Sequence, residues 1–216
     1  MIEFTTADIL LAILVLAGIL VLQFYRGRKI NLALQERVIK ELESVFKPLD
    51  KIYQVLGIYV GFRGVIKVDN PSIERVEVTT ILMPRHSLLY YPISLLTVRM
   101  DKVMIHLVPR GRIPGEAHVV RRGYYRLGSS RVIEGSELMK SWEEEIGGTK
   151  FEVFDSSNLS GHLLEVIRNL PDPGLVNHLA LVPENNTIFF AFRLKPEGLR
   201  ENLEALRILA ERLFPP

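Results

Sequence analysis

The sequence predicts an α+β protein: one N-terminal transmembrane helix followed by a single mixed α+β cytosolic domain with a mainly antiparallel sheet. Three observations carry that expectation. Residues 9–22 read ILLAILVLAGILVL without one polar side chain. Behind them, alternating apolar stretches are separated by short turn signals, Asp69-Asn70-Pro71 and Glu184-Asn185-Asn186, the pattern of strands joined locally. The chain then closes on an amphipathic segment, residues 197–213, with leucines at helical spacing. Together these divide the 216 residues into an anchor at 1–28, a juxtamembrane helix at 29–48 and a domain at 49–216.

With Gln23, Phe24 and Tyr25 the apolar run reaches about 26 Å of helix, short but sufficient for a thin bilayer. It is apolar all round, whereas a buried core helix keeps a polar face. A cleaved signal peptide places positive charge ahead of its apolar run; here Glu3 and Asp8 precede it, and Arg26, Arg28 and Lys29 follow. By the positive-inside rule the basic collar stays in the cytoplasm and the short acidic N-terminus crosses.

After the collar, Ile30, Leu34, Val38, Leu42 and Val45 mark one face of a helix that stops before Pro48. It continues the anchor as one rod. Residues 53–68 and 73–82 read as strands forming a hairpin. Residues 88–98 are apolar enough for a buried or an interfacial helix, but Pro92 forbids an undisturbed helix through its centre. Residues 102–108 and 117–127 read as strands, 137–146 as a polar helix, 150–154 as a strand and 159–170 as a helix closed by Pro171. Residues 178–182 and 187–194 form a second hairpin. The last helix puts Leu199, Leu203, Leu206, Leu209, Ala210 and Leu213 on one side, against Arg200, Glu204, Arg207 and Glu211 on the other, and packs on the sheet.

The chemistry of most enzyme classes finds no residues to carry it. There is no cysteine, hence no disulfide framework, thiolate zinc site or cysteine nucleophile. The five histidines, His86, His106, His118, His162 and His178, fall in no ligand pattern. No nucleophile elbow, phosphate-binding loop or dinucleotide fingerprint is present. On the expected helix Glu143, Glu144 and Glu145 point in different directions and suit a solvated surface. Asp155-Ser156-Ser157-Asn158, ahead of an apolar run, suits an N-cap. The sequence therefore makes no case for an enzyme, a cofactor or a metal.

Two features point to binding. Arg110, Arg112, Arg121, Arg122, Arg126 and Arg131 are six arginines in 22 residues, opposed in that window only by Glu116. Guanidinium forks suit phosphate, whether of RNA or of anionic lipid, and Tyr124 and Tyr125 add stacking or interfacial contacts. Strand alternation, by contrast, splits such a cluster between two faces and leaves a solvated strand pair. The second feature is LLYYPISLL, residues 88–96, where Leu88, Leu89, Tyr90, Tyr91, Leu95 and Leu96 suit a membrane-facing or partner-facing surface. Covering the sheet is the alternative use for so apolar a segment.

The order of features resembles the calumin family, the single-pass coiled-coil-domain proteins of the PAT intramembrane chaperone complex and the multipass translocon. The resemblance rests on the basic collar after the span, Leu42-Glu43-Ser44 with Phe46, and Ile52-Tyr53. Towards the end it rests on Phe190-x-Phe192-x-Leu194 with Pro196, and on Leu203-Glu204-Ala205-Leu206. These occur in the family's order over roughly residues 25–210. The resemblance implies a non-enzymatic biogenesis factor that shelters the transmembrane helices of multipass clients beside a Sec-type translocon or insertase, in a compact, archaeal-type form. The family's acidic, calcium-binding lumenal segment is reduced to about eight residues, so calcium is not expected. The family's basic C-terminal coiled coil is missing after Pro216, so contact with ribosomal RNA falls to the domain and its arginines. The alternative is a membrane-tethered module that binds RNA or anionic lipid through the arginine patch, without a role in insertion.

Overall fold

The computed structural model describes residues 5–57 and 59–215. Helix α1, Thr6–Phe46, is a single rod of 41 residues, roughly 60 Å long. Its start is fixed by a capping box, in which the Thr5 hydroxyl accepts from the Asp8 amide and the Asp8 carboxylate accepts from the Thr5 amide. Its end is fixed by Lys47, in the left-handed conformation at φ 46°, whose N–H returns to the Glu43 carbonyl. None of the apolar first half is buried: an 18-residue window with mean hydropathy 2.5 is 0% buried. The second half is different, with Val38, Leu42, Val45 and Phe46 buried in the domain core. The juxtamembrane helix is thus part of the domain.

Nine strands follow, β1 (Pro48–Val55), β2 (Gly61–Val68), β3 (Ile73–Ile81), β4 (Lys102–Pro109), β5 (Ala117–Arg121), β6 (Lys140–Ile146), β7 (Thr149–Asp155), β8 (Val176–Val182) and β9 (Thr187–Arg193). They form one sheet in the order β1-β2-β3-β4-β9-β8-β5-β7-β6, antiparallel at every pairing. Three helices complete the domain: α2 (Tyr91–Thr97), α3 (Ser160–Arg168) and α4 (Leu199–Leu213). This is the α+β architecture the sequence predicts.

One face of the sheet carries the main core. Val76, Val78, Val103, Ile105, Leu107, Phe190, Phe192, Leu179 and Phe151 are all sealed there under α1, α3 and α4. At about 2–5 kcal/mol for each leucine-sized truncation, this face dominates stability. On α4, Leu199, Leu203, Leu206, Leu209 and Ala210 face inward while Arg200–Glu204 and Arg207–Glu211 pair outward. The Asp155 carboxylate accepts from the amides of Ser157, Leu159 and Ser160 and from the Ser160 hydroxyl, tying β7 to the start of α3. Burial opposes ionisation there, but these donors hold the carboxyl below its ordinary range.

Four expectations need correction. Residues 137–146 are not a polar helix. A 3₁₀ turn at Ser136–Leu138 leads into edge strand β6. Gly147 and Gly148, at φ +56° and +74°, supply the left-handed pair of a tight hairpin turn, which lays β6 along β7 despite the weak strand preference of its glutamates. Strand alternation then sends Glu143 to Arg122 and Glu144 to Arg168, on opposite faces. The stretch at 53–68 is two strands, since β1 begins at Pro48 and ends at Val55, and β2 begins at Gly61, antiparallel to it. The strand at 117–127 ends at Arg121, where a turn closes from the Tyr124 amide to the Arg121 carbonyl. Finally, the helix expected over 88–98 starts at Tyr91, which puts Pro92 in the first turn, where its missing N–H costs nothing.

Candidate functional site

Three neighbouring pieces of structure concentrate the unusual chemistry of the molecule: the collar where α1 leaves the domain, the apolar helix α2 beside it, and a basic cavity behind α2.

The collar is built by close approach. A Cβ on Gly27 would lie 2.3 Å from the backbone of Arg85, so only glycine lets the rod lie against the segment that follows β3. One turn on, Asn31 is fully buried, and its amide donates to the carbonyls of Tyr59 (2.7 Å) and Met83 (2.8 Å). Its oxygen accepts from Arg85, whose guanidinium also grips Asp101 at 2.9 and 2.5 Å. Gln23 donates to the Arg85 carbonyl at 2.9 Å. Phe24, Tyr59 and His86 meet edge to face, and the Arg28 guanidinium lies 4.8 Å over the Tyr59 ring. Part of the basic collar therefore folds back onto the domain.

Helix α2 follows within five residues of His86, so its start lies no more than about 17 Å from the collar. It keeps only Ser94 buried. Leu89 (80% exposed), Ile93 (52%), Leu95 (51%) and Leu96 (72%) stand in solvent with Tyr90, while Leu88 and Tyr91 are half-buried. A segment this apolar has not been used to cover the sheet. Polar exposure of α2 is confined to its ends, where Ser87 and Thr97 bond locally.

The six arginines do not form one patch. Arg121, Arg122 and Arg126 line a cavity of about 350 Å³ beneath the C-terminal end of α2. Arg110 donates to the Asn70 carbonyl at the opposite end of β4, Arg112 is exposed in the loop after it, and Arg131 is exposed in a 3₁₀ turn at Ser129–Arg131. Strand length is the reason. β4 runs eight residues between the cavity end and Arg110, roughly 25 Å. Residues that sequence reading missed replace the absent three: Arg99, Lys102 and Arg193 line the same cavity. Lys102 and Arg193 are cross-strand partners on β4 and β9, and no local signal marks residues 91 positions apart as neighbours.

Next to the cavity lies a buried polar chain, on the face of the sheet opposite the main core. His118 Nε2 lies 2.9 Å from Glu116 Oε1, His118 Nδ1 lies 3.1 Å from His178 Nε2, and His178 Nδ1 lies 2.8 Å from the Tyr125 hydroxyl. The carboxylate only accepts, so the proton positions follow: His118 donates to Glu116, His178 donates to His118, and Tyr125 donates to His178. Both rings are neutral in this arrangement, and every polar atom of the chain is satisfied. Burial, with His118 as neighbour, holds His178 down at about 3, and burial lowers His118. Tyr125 is raised to about 12 by burial and by Tyr124. Residues 122–139 seal the chain through a small apolar cluster of Val120, Ile133 and Phe154 with Tyr124, Tyr125 and Met139. His106 stacks 4.9 Å from Phe189 on the same face and bonds to neither histidine.

Among the described residues no three His, Asp or Glu side chains converge as a metal set. No family model and no curated protein matches the chain.

Proposed function

We propose that this protein is a non-enzymatic membrane-protein biogenesis factor of the calumin type, anchored by α1 with its N-terminus outside and its domain in the cytoplasm. The observation that carries the reading is the position of α2. A helix with its leucines in solvent sits close to the point where the exposed half of the 41-residue rod leaves the domain.

The physical case has two parts. Side chains that are costly in water become favourable in the interfacial zone of a bilayer or against another apolar helix, at about 25 cal/mol for each Å² covered. Inside the bilayer, each unsatisfied polar group of a client helix costs several kcal/mol, and a protein surface of mixed character lowers that cost. The α2 ridge offers leucines beside tyrosine hydroxyls, close to the membrane level set by the collar. Its partners on this reading are Sec-type translocon or insertase subunits and the transmembrane helices of clients, with ribosomal RNA as a candidate for the outlying arginines Arg110, Arg112 and Arg131.

The test is co-purification of the full chain from mild detergent, with and without Leu89, Leu95 and Leu96 replaced by Ser. These side chains are exposed, so each change is expected to move stability by less than about 0.5 kcal/mol. The expected result is recovery of translocon or insertase subunits with the wild type and their loss from the variant at an unchanged thermal midpoint. Recovery of the wild-type protein alone, or equal recovery of partners by both forms, overturns the reading.

A further inference from the structure

The cavity beneath α2 has an imbalance that the fold does not resolve. Six cationic side chains line it, Arg99, Lys102, Arg121, Arg122, Arg126 and Arg193, and no Asp or Glu does. Three of them are engaged. Arg122 pairs with Glu143 at 3.1 Å, Arg121 donates to the Gly174 carbonyl at 3.0 Å, and Arg126 caps the Leu96 carbonyl at the end of α2. Among the described residues Arg99, Lys102 and Arg193 make no ion pair. The Arg193 Nε is buried without a hydrogen-bond partner.

Register makes the arrangement deliberate. Lys102 on β4 stands directly opposite Arg193 on β9, and like charges so placed destabilise a sheet. On the other side of β9, an irregularity between Val176 and His178 in β8 sets Asn177 out of the ladder. Asn177 lines the cavity, is fully buried, and its Oδ1 has no partner. Arg121, at the end of β5, completes the row. Four adjacent strands, β4, β9, β8 and β5, thus bring Lys102, Arg193, Asn177 and Arg121 to one end of the sheet. Burial lowers the Lys102 ammonium, and burial together with Arg193 lowers Arg121. Asp172 opposes the shift of Arg121 without cancelling it, and Lys102 is lowered by burial alone.

We propose that this cavity is a binding site for a phosphate monoester, held by Lys102, Arg193 and Arg121 as donors and by Asn177 Oδ1 as acceptor. A volume of about 350 Å³ lies at the small end of ligand sites, roughly 300–1,000 Å³. Three cations require anionic oxygens. One acceptor buried among them calls for a hydrogen-bond donor on the same ligand. A phosphate monoester supplies both, since its second pKa near ~6 leaves a share of it protonated at neutral pH. Sulfate has no such proton. The Tyr125 hydroxyl is committed inward to His178, so it adds only its ring to the wall. Soluble esters and lipid headgroups share this chemistry, and the apolar ridge of α2 along the cavity rim suits a headgroup whose acyl chains remain in the membrane. The inference is independent of the translocon partnership proposed above.

The test uses the full chain in a neutral detergent, titrated calorimetrically with inorganic phosphate and, at matched ionic strength, with sulfate. Phosphate is expected to bind and to raise the thermal midpoint, with sulfate weaker by about tenfold. Lys102→Met and Arg193→Gln are each expected to weaken phosphate by about tenfold or more. Each is also expected to hold or raise the midpoint without phosphate, because it removes a like-charge contact. Lys67→Gln, exposed on β2 and outside the cavity, leaves both readouts unchanged. Competition then separates the sources: phosphatidate in phosphatidylcholine nanodiscs displaces phosphate if the ligand is a headgroup, and glycerol phosphate alone displaces it if the ligand is soluble. The proposal is overturned if phosphate gives no binding heat, if sulfate and phosphate act equally, or if Lys102→Met and Arg193→Gln both bind as the wild type does.

Discussion

His118 and His178 meet ring nitrogen to ring nitrogen at 3.1 Å across β5 and β8, and the direction of the hydrogen bond between them is set from outside the pair, by the carboxylate of Glu116. Because Glu116 fixes the His118 tautomer and His118 fixes that of His178, the three bonds run one way, from Tyr125 to Glu116. Adding a proton to His118 Nδ1 sets it against the His178 N–H, and adding one to His178 Nδ1 forces the Tyr125 hydroxyl to turn and accept. Either proton also charges a site that burial disfavours.

This arrangement makes stability depend on pH with a definite sign. Both folded pKa values lie below the unfolded value of about 6.5, that of His178 at about 3. The unfolded chain therefore takes up protons first as pH falls. The contribution of the pair is complete above about pH 6.5 and is lost progressively towards pH ~3, at about 1.4 kcal/mol per pH unit for His178. The check is a series of thermal midpoints from neutral pH down to about 4.5, with histidine ring shifts followed by NMR. An imidazolium signal from His178 near pH 5 in the folded protein would sink the proposed chain of bonds.

A second prediction concerns how the rod is joined to the domain. Asn31→Leu removes the side chain that bonds the Tyr59 and Met83 carbonyls; Met83 keeps the Arg85 amide as a donor, and the Tyr59 carbonyl loses its Asn31 donor at roughly 1–3 kcal/mol. Gly27→Ala forces a methyl into the Arg85 backbone, for which overpacking costs about 1–3 kcal/mol. Both variants are expected to lower the thermal midpoint of the full chain by several degrees, at about 2–4 °C per kcal/mol. Gly18→Ala is the matched control, since a Cβ there meets nothing within 4 Å. Equal midpoints for Gly27→Ala and Gly18→Ala would mean that the rod is not clamped at the collar.

The parts of this fold that could be read from sequence are those whose information is local. The rod carries its own period and its own stop at Lys47–Pro48, α4 carries its amphipathic stripe, and the β8–β9 hairpin carries Glu184-Asn185-Asn186 between two apolar runs. What could not be read depends on partners distant in the chain. SWEEEI has no strand character of its own and becomes β6 only because Gly147-Gly148 folds it onto β7. Arg110 and Arg121 are close in sequence but stand at opposite ends of the sheet. Lys102 and Arg193, far apart in sequence, are direct neighbours. The histidines were individually uninformative for the same reason: 60 residues separate His118 from His178.

The remaining prediction is orientation, on which the functional reading depends. The basic residues of the collar, Arg26, Arg28 and Lys29, lie on the domain side of the apolar run, and Glu3 and Asp8 lie on the other. By the positive-inside rule this charge order predicts a cytoplasmic domain. The chain has no cysteine, so single introduced thiols report position without background. Thr5→Cys, exposed at the start of α1, and Leu138→Cys, whose parent side chain is 88% exposed, mark the two sides. With an impermeant maleimide, Thr5→Cys is expected to label in cells whose outer barrier has been opened but whose inner membrane is intact. Leu138→Cys is expected to label only after lysis. The reverse pattern would place the domain outside the cytoplasm, away from any ribosome, and would remove both the biogenesis reading and the contact proposed for the outlying arginines.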